Sequence, residues 1–250
     1  MDLDLRHNLS FPPEIAMTAT PPRPSSSSSL PRLLLLLSAT TGLVDAASVL
    51  GLGKVFTANM TGNVVFLGFA AVGTPGFKVL PAVMALLAFM VGAWGAGKLA
   101  RAHSALPLRR WLLRAAVVEG SLLLAAALVA LNIDVAAQAP EPAVLAVIVL
   151  TGFAMGLRNA TIRSLKVPDL TTTVLTLTIT GIAADQTGRA ASPNFARRFA
   201  AVLSIFLGAA IGAALLRFSL AVPLAVASIV VIGATLLFAR DPVSALPHQA

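Results

Sequence analysis

The sequence of 250 residues is 57% hydrophobic and 11% charged, and its mean hydropathy is +0.88. Soluble globular proteins contain roughly 45–50% apolar and about 25% charged residues, so this composition excludes a water-soluble protein and indicates an integral membrane protein. The chain has no cysteine, and its three histidines lie far apart in sequence, so we expect no metal site, no cofactor and no enzymatic activity. The net charge of +8 comes without a basic run interleaved with aromatic residues, so nucleic acid is not an expected partner.

Residues 1–32 are rich in proline and serine and lack a helical period, which predicts a disordered N-terminal tail. Six long apolar stretches follow, each close to the 20 or so residues that a helix needs to cross a bilayer. They are 33–52, 78–98, 110–131, 142–162, 199–216 and 221–239. Residues 241–250 then form a short C-terminal tail. The predicted fold is therefore an all-α, polytopic transmembrane helical bundle.

Two shorter apolar stretches, 55–72 and 170–184, differ from these six. The first is interrupted by the polar pentapeptide Asn59-Met60-Thr61-Gly62-Asn63, and the second is short and rich in threonine. We predict that both are broken or re-entrant helices. They occupy matching places in two halves of the transmembrane domain, 33–131 and 142–240.

An internal repeat is predicted from this order of one long, one short and two long stretches in each half. A shift of 110 residues also places Thr41-Gly42 on Thr151-Gly152, Thr61 on Thr171 and Asn59 on Asp169. Three crossings in each half would make the second half inverted relative to the first, an arrangement known in transporters and channels.

The distribution of basic residues predicts the topology. With a cytoplasmic N-terminus and both short stretches re-entrant, 15 of the 18 lysines and arginines lie inside, leaving Lys54, Lys78 and Arg217 outside. If both short stretches crossed fully, the split would be 8 to 10. A seven-crossing arrangement, in which 55–72 alone spans and the N-terminus lies outside, gives 13 to 5 and stays open as an alternative.

Asp45 is the most informative single residue, because it lies near the middle of the first long stretch. A charge at that depth costs at least about 2.5–3.5 kcal/mol on insertion scales, so it should face a cavity or a partner. We interpret it as a proton or cation carrier or a substrate contact; the alternative is a brace for the neighbouring broken helix. The candidate substrate or ion site combines Asp45 with polar residues of the short stretches and with one asparagine of the fourth long stretch: Asp45, Asn59, Thr61, Gly62, Asn63, Asn159, Asp169, Thr171, Thr172 and Thr173.

Glu119 needs a partner within the third long stretch, and Arg114, five residues earlier, is the predicted member of a structural ion pair; Asn159 is the other group within its reach. Glycines at Gly152-xxx-Gly156 and Gly208-xxx-Gly212, together with Gly92, Gly95 and Gly97, predict close helix packing and not a functional site.

Four motifs are informative together: Gly42-Leu43-Val44-Asp45-Ala46, Ala58-Asn59-Met60-Thr61-Gly62-Asn63, and the stretches 155–160 and 171–176. In these motifs the sequence resembles the YoaK-like family of bacterial integral membrane proteins of unknown function. The family usually has Gln-Asn-Ala where this chain has Arg158-Asn159-Ala160. The resemblance implies a multi-pass protein of the bacterial plasma membrane and no established substrate.

Two functions follow as hypotheses. One is a secondary transporter or channel for a small solute or ion, with both termini cytoplasmic and the lipid bilayer as its surroundings. The other is a non-transporting structural or accessory membrane protein. Either is compatible with a homo-oligomer.

Overall fold

The chain forms a bundle of α-helices, seen in a computed structural model that describes residues 29–102, 107–165, 175–184 and 195–245. Eight α-helices and one short 3-10 helix, Pro242–Ala245, make up the described part. The α-helices are α1 Leu30–Gly51, α2 Met60–Ala71, α3 Val79–Ala102, α4 Leu108–Ala130, α5 Glu141–Ser164, α6 Leu175–Ala184, α7 Phe195–Leu215 and α8 Ala221–Ala239. Six of them are long and apolar enough to cross a membrane. The predicted all-helical membrane bundle is confirmed.

The six long helices coincide with the six long apolar stretches to within a few residues. The largest differences are four residues, at the end of α3 and at the start of α7. Helix α1 begins at Leu30 and so includes three residues assigned by sequence to the tail. Pro31 does not prevent this, because the first turn of a helix needs no backbone N–H from that position. The remainder of the predicted tail, residues 1–28, lies outside the described residues.

The stretch around α2 enters and leaves the bundle at the same end. The Lys54 ammonium, before α2, lies 4.9 Å from the centre of the Phe77 ring, after α2. Gln138, in the α4–α5 loop, donates a hydrogen bond to the Gly51 carbonyl at 3.1 Å, so this loop marks the same end. Since α2 has only 12 residues, about 18 Å, it is re-entrant as predicted, which favours six crossings over seven.

The opposite end of the bundle is marked by the start of α1 and the end of α8. The Ser29 hydroxyl and amide both donate to the Asp241 carboxylate, at 2.5 and 3.1 Å. We refer to this as the Ser29 end and to the other as the Gln138 end. The chain thus begins and finishes its described path at one end, as an even number of crossings requires.

Two helix pairs cross at very short distance through glycines. In the α1–α7 pair, Cβ atoms built on Gly42 and Gly208 would collide with the carbonyls of Ile205 and Ala39. In the α3–α5 pair, Cβ atoms built on the glycines at 92 and 156 would likewise collide with backbone carbonyls of the partner helix. The predicted role in packing is confirmed for the glycines at 92, 152, 156, 208 and 212. It is wrong for Gly95 and Gly97, because within the described part of the chain no atom of another helix lies within 4 Å of a Cβ built on either of them.

The centre of the bundle is formed by α1, α4, α5 and α8. Helix α4 packs against α8 and α5, and α1 also packs against α8. Helices α3 and α7 flank this centre, with α2 beside α3 and α6 beside α7. The centre is where the buried polar groups lie.

Candidate functional site

A buried ion pair joins α4 to α5 at the centre of the bundle. Arg158 and Glu119 are only 1% and 4% exposed. The Arg158 Nε donates to Glu119 Oε1 at 2.5 Å, and its Nη2 contacts the same oxygen. Glu119 lies 11 residues into α4, about 16 Å along the helix, so the carboxylate is close to the middle of the membrane.

The same guanidinium also binds α1. Its Nη1 donates to the Leu37 carbonyl at 3.1 Å and to the Thr41 hydroxyl at 3.2 Å. The Thr41 hydroxyl donates its own hydrogen bond to the Leu37 carbonyl, at 3.0 Å, so it is an acceptor toward Arg158. Arg158 leans toward the middle of the membrane because side chains tilt toward the N-terminus of their helix, which for α5 is the Gln138 end. One side chain therefore connects three helices.

Asp45 lies one turn further along α1 from Thr41, toward the Gln138 end. Its Oδ1 accepts a hydrogen bond from the Ala58 amide at 3.0 Å, and the amides of Thr57 and Asn59 face the same carboxylate. Asp45 is six residues before the end of α1, about 9 Å, so the extended segment before α2 dips that far into the membrane to meet it. The predicted placement of Asp45 beside the broken helix is confirmed.

Asn63 fixes the same dipping segment from the α2 side. Its side chain is fully buried, accepts from the Phe56 amide at 2.8 Å and donates to the Phe56 carbonyl at 2.6 Å. A side-chain amide thus satisfies both backbone groups of a residue that belongs to no helix, which lipid could not do. Asp45 and Asn63 together hold the segment in place.

The hydroxyl of Thr57, in this segment, is fully buried and makes no hydrogen bond within the described part of the chain. Such a group is uncommon, because a buried hydroxyl left without a partner costs about 1–3 kcal/mol. It adds an unused polar atom beside the Asp45 segment.

A small cavity adjoins the ion pair on the side of the Ser29 end. Its volume is about 20 Å³, enough for about one water molecule, and both Glu119 and Arg158 line it. Leu33, Leu112 and Thr235 are among its other lining residues, and they come from the parts of α1, α4 and α8 nearest the Ser29 end. From the Gln138 end to this cavity, polar groups thus follow one another through the interior: Asp45, Thr41, Arg158 and Glu119. We call these four residues the polar column.

The other predicted site residues are not part of this column. Asn59 and Thr61 are exposed, and a Cβ on Gly62 would meet the Phe56 ring. The Asn159 side chain is half-buried and donates to the Met155 carbonyl of its own helix at 3.0 Å. The remaining four, Asp169, Thr171, Thr172 and Thr173, lie outside the described residues.

The predicted partner of Glu119 is wrong. Arg114 is exposed on the surface of α4, and Arg158 of α5 forms the pair instead. Arg158 was also counted among the cytoplasmic basic residues, yet it lies inside the bundle; without it the inside count falls from 15 to 14 and the bias remains. The signal that could have found Arg158 is its distance from the helix end, six residues before Ser164.

Six spanning helices, a re-entrant helix and three ionisable groups inside the bundle define a multi-pass helical membrane protein. Residues 33–237 match the family described as "Protein of unknown function (DUF1275)", and the chain belongs to this family. It is also similar to the UPF0700 transmembrane protein YoaK of Bacillus subtilis (strain 168), with 33% identity over 161 residues, which are 63% of this chain and 67% of that protein. The resemblance inferred from the motifs is thereby confirmed. No solved structure matches the chain.

Proposed function

We propose that this protein is a secondary transporter or channel for a small ion or solute, and that the polar column is its path. The observation that carries the proposal is the succession of Asp45, Arg158 and Glu119 through the bundle, with Asp45 half-buried and the other two almost fully buried. Each charge inside a membrane costs about 2.5–3.5 kcal/mol or more on insertion scales. A buried ion pair also adds little net stability compared with apolar packing. A function in moving charge or polar solute explains why the groups are there.

An inverted repeat supports the same proposal. If α1–α4 and α5–α8 are equivalent halves, exchanging them converts the α1–α7 pair into the α3–α5 pair and α2–α3 into α6–α7, and these are pairs that the bundle contains. Glycines also allow close backbone contact in both of the exchanged pairs, at Gly42 and Gly208 between α1 and α7 and at Gly92 and Gly156 between α3 and α5. Transporters of this kind place their sites where the two repeats meet, near broken helices.

The volume of the small cavity limits the size of a substrate that this conformation can bind. A volume of about 20 Å³ fits one water molecule or a bare ion and no larger solute. A larger substrate would require the helices around Arg158 to separate. We therefore favour an ion over a metabolite.

A structural or accessory role is the second candidate, because each charged group in the column already has a partner within the protein. Glu119 and Arg158 bind each other, and Asp45 binds backbone amides. In this role the column only locks α1, α4 and α5 together. We propose no enzymatic activity for either role, since no nucleophile and base are paired in the sequence.

Water access to the cavity tests one candidate against the other. The natural chain has no cysteine, so single cysteines at Thr161 and Thr235, which line the cavity, report its accessibility without background. A matched control is Ser228→Cys, because Ser228 is equally buried but its hydroxyl donates to the Gly120 carbonyl between α4 and α8. A transporter predicts labelling at both cavity positions by a small water-soluble thiol reagent and none at 228.

Flux measurement completes the test. Purified protein in proteoliposomes should move at least one member of a panel of protons, alkali cations, halides and small metabolites faster than protein-free vesicles do. A thermostability screen against the same panel should identify a ligand that binds the folded state. No flux, no ligand and unlabelled cavity cysteines would together refute transport and leave the accessory role. We place the protein in the bacterial plasma membrane with the Ser29 end in the cytoplasm.

A further inference from the structure

We propose that the ion bound by the polar column is a proton, and that Asp45 is the group that binds it. This inference rests on the proposed transport function and specifies its ion. It is drawn from the balance of charges inside the bundle and from the atoms that surround Asp45.

The ionisable groups inside the bundle have a net charge of −1 when all of them are ionised. Within the described residues, Asp45, Glu119 and Arg158 are the ionisable groups that are at least half-buried and lie away from the helix ends. Two carboxylates and one guanidinium sum to −1 when all three are ionised. An uncompensated charge in the low dielectric of the bundle costs free energy. We therefore expect one additional positive charge to bind in the column and neutralise it.

The additional charge belongs at Asp45. Both nitrogens of Arg158 nearest to α4 contact Glu119, so that carboxylate is already neutralised. Among the residues that the structure describes, no other cation faces Asp45 from the packed helices: α8 has no charged residue, and α7 meets this part of α1 at Gly212, far from the arginines of its first turn. Lys54 is exposed and lies against Phe77 at the membrane surface. Arg158 attracts the Asp45 carboxylate electrostatically, but it donates its hydrogen bond to Thr41 and not to Asp45.

The surroundings of Asp45 suit a proton and not a metal cation. Sodium, potassium and the divalent cations need several oxygen ligands, whereas the groups that hydrogen-bond to the carboxylate are the N–H donors of Thr57, Ala58 and Asn59. The Thr57 hydroxyl of the same segment would add only one oxygen, fewer than these cations require. An N–H group cannot ligate a cation. A proton bonds to a single carboxylate oxygen, so it can occupy Oδ2 of Asp45 while Oδ1 still accepts from the Ala58 amide.

Proton binding can be measured directly, without a known substrate. We would record infrared difference spectra of the purified wild-type protein as the pH is lowered, and follow the carbonyl band of protonated carboxylic acids. Asp45→Asn should abolish the band of a buried acid, and its amide oxygen can still accept from Ala58, so the fold should persist. Glu119→Gln/Arg158→Gln, which removes the ion pair as a unit, should retain that band.

Asp134→Asn is the matched control. Asp134 also accepts two backbone amides, from Ala136 and Ala137, but it is exposed in the α4–α5 loop. Its removal should leave the buried-acid band unchanged. Sodium or potassium added at constant pH should not displace the Asp45 proton.

Three results would overturn the inference: a buried-acid band that survives in Asp45→Asn, a band lost with Glu119 instead, or a band displaced by an alkali cation. Failure of the transport proposal looks different, because Asp45 would still titrate while proteoliposomes showed no flux. With transport present and Asp45 as its proton site, Asp45→Asn should lose all proton-driven flux.

Discussion

Replacing Arg158 by glutamine tests the buried ion pair between α4 and α5. The change leaves Glu119 buried without its guanidinium and removes the hydrogen bonds to the Leu37 carbonyl and to Thr41. Breaking a buried ion pair by removing one partner costs about 3–5 kcal/mol. Since both side chains are almost fully buried, little solvent screening reduces this value. We expect Arg158→Gln to lower the free energy of unfolding by about 3–5 kcal/mol.

The double variant Glu119→Gln/Arg158→Gln should be more stable than either single variant. It leaves no unpaired charge and retains two side-chain amides that can bind each other, so its cost should be about 1–2 kcal/mol. The assay is unfolding by sodium dodecyl sulfate from mild detergent micelles, followed by circular dichroism. Arg114→Gln, at the exposed position on α4, serves as control and should stay within about 0.5 kcal/mol of the wild type.

Two outcomes would refute this reasoning about the ion pair. One is a loss below about 1 kcal/mol in Arg158→Gln, which would mean that the charge is not desolvated. The other is a double variant whose loss equals the sum of the two single losses, which would mean that the two side chains do not interact.

Three further predictions concern the scaffold. Asn63→Ala should lower the free energy of unfolding by about 1–3 kcal/mol for each backbone group of Phe56 that it leaves unsatisfied, measured by the same unfolding assay. An unchanged stability would contradict the role of Asn63 in holding the dipping segment. Gly208→Ala should lower stability by about 1–3 kcal/mol because its methyl group meets a carbonyl of α1, whereas Gly233→Ala, with open space around it, should not; equal effects would disprove close packing. A cysteine at Ala137 should react with an impermeant reagent outside intact cells and one at Ala245 should not, and the reverse result would invert our orientation.

The helices themselves could be predicted because membrane crossing imposes length and hydropathy on the sequence. Each of the six spans had to supply about 20 apolar residues, and such runs are visible without a structure. The re-entrant nature of α2 could also be predicted from the sequence. The pentapeptide 59–63 combines a glycine with threonine and amide side chains, and at membrane depth such polar groups need hydrogen-bond partners within the protein. The exact start of α1 was not accessible, because Pro31 is as typical of a first helical turn as of a loop.

The prediction that Arg114 pairs with Glu119 failed for a geometric reason that can be worked out from the sequence. Residues five apart on an α-helix point about 140° away from each other, whereas pairs at three or four residues share a face. Arg114 could therefore have been rejected in advance. Arg158 could not have been chosen with equal certainty, because α5 is apolar on most of its circumference and nothing in its pattern shows whether Arg158 or Asn159 faces inward.

The dipping segment shows a second limit of the sequence. Asn59, Thr61 and Asn63 are similar in character, yet only Asn63 is buried, where it binds Phe56. Which asparagine turns inward depends on where α2 begins relative to the extended segment. That register is set by tertiary contacts with α1, including the bond from Ala58 to Asp45, which no local pattern records.

The proposed repeat relates the helices of the two halves but not the charged residues of the polar column. This difference bears on the direction in which a proton would move. Under the 110-residue shift Asp45 corresponds to Met155 and Arg158 to Ser48, so a charged residue is matched by an uncharged one in both cases. The scaffold is then nearly equivalent in its two halves, while the charges are not. Asp45 lies about 9 Å from the Gln138 end, and the cavity beside Glu119 lies on the side of the Ser29 end. A proton would therefore reach Asp45 from the Gln138 end, and its further passage would require Arg158 to release Thr41.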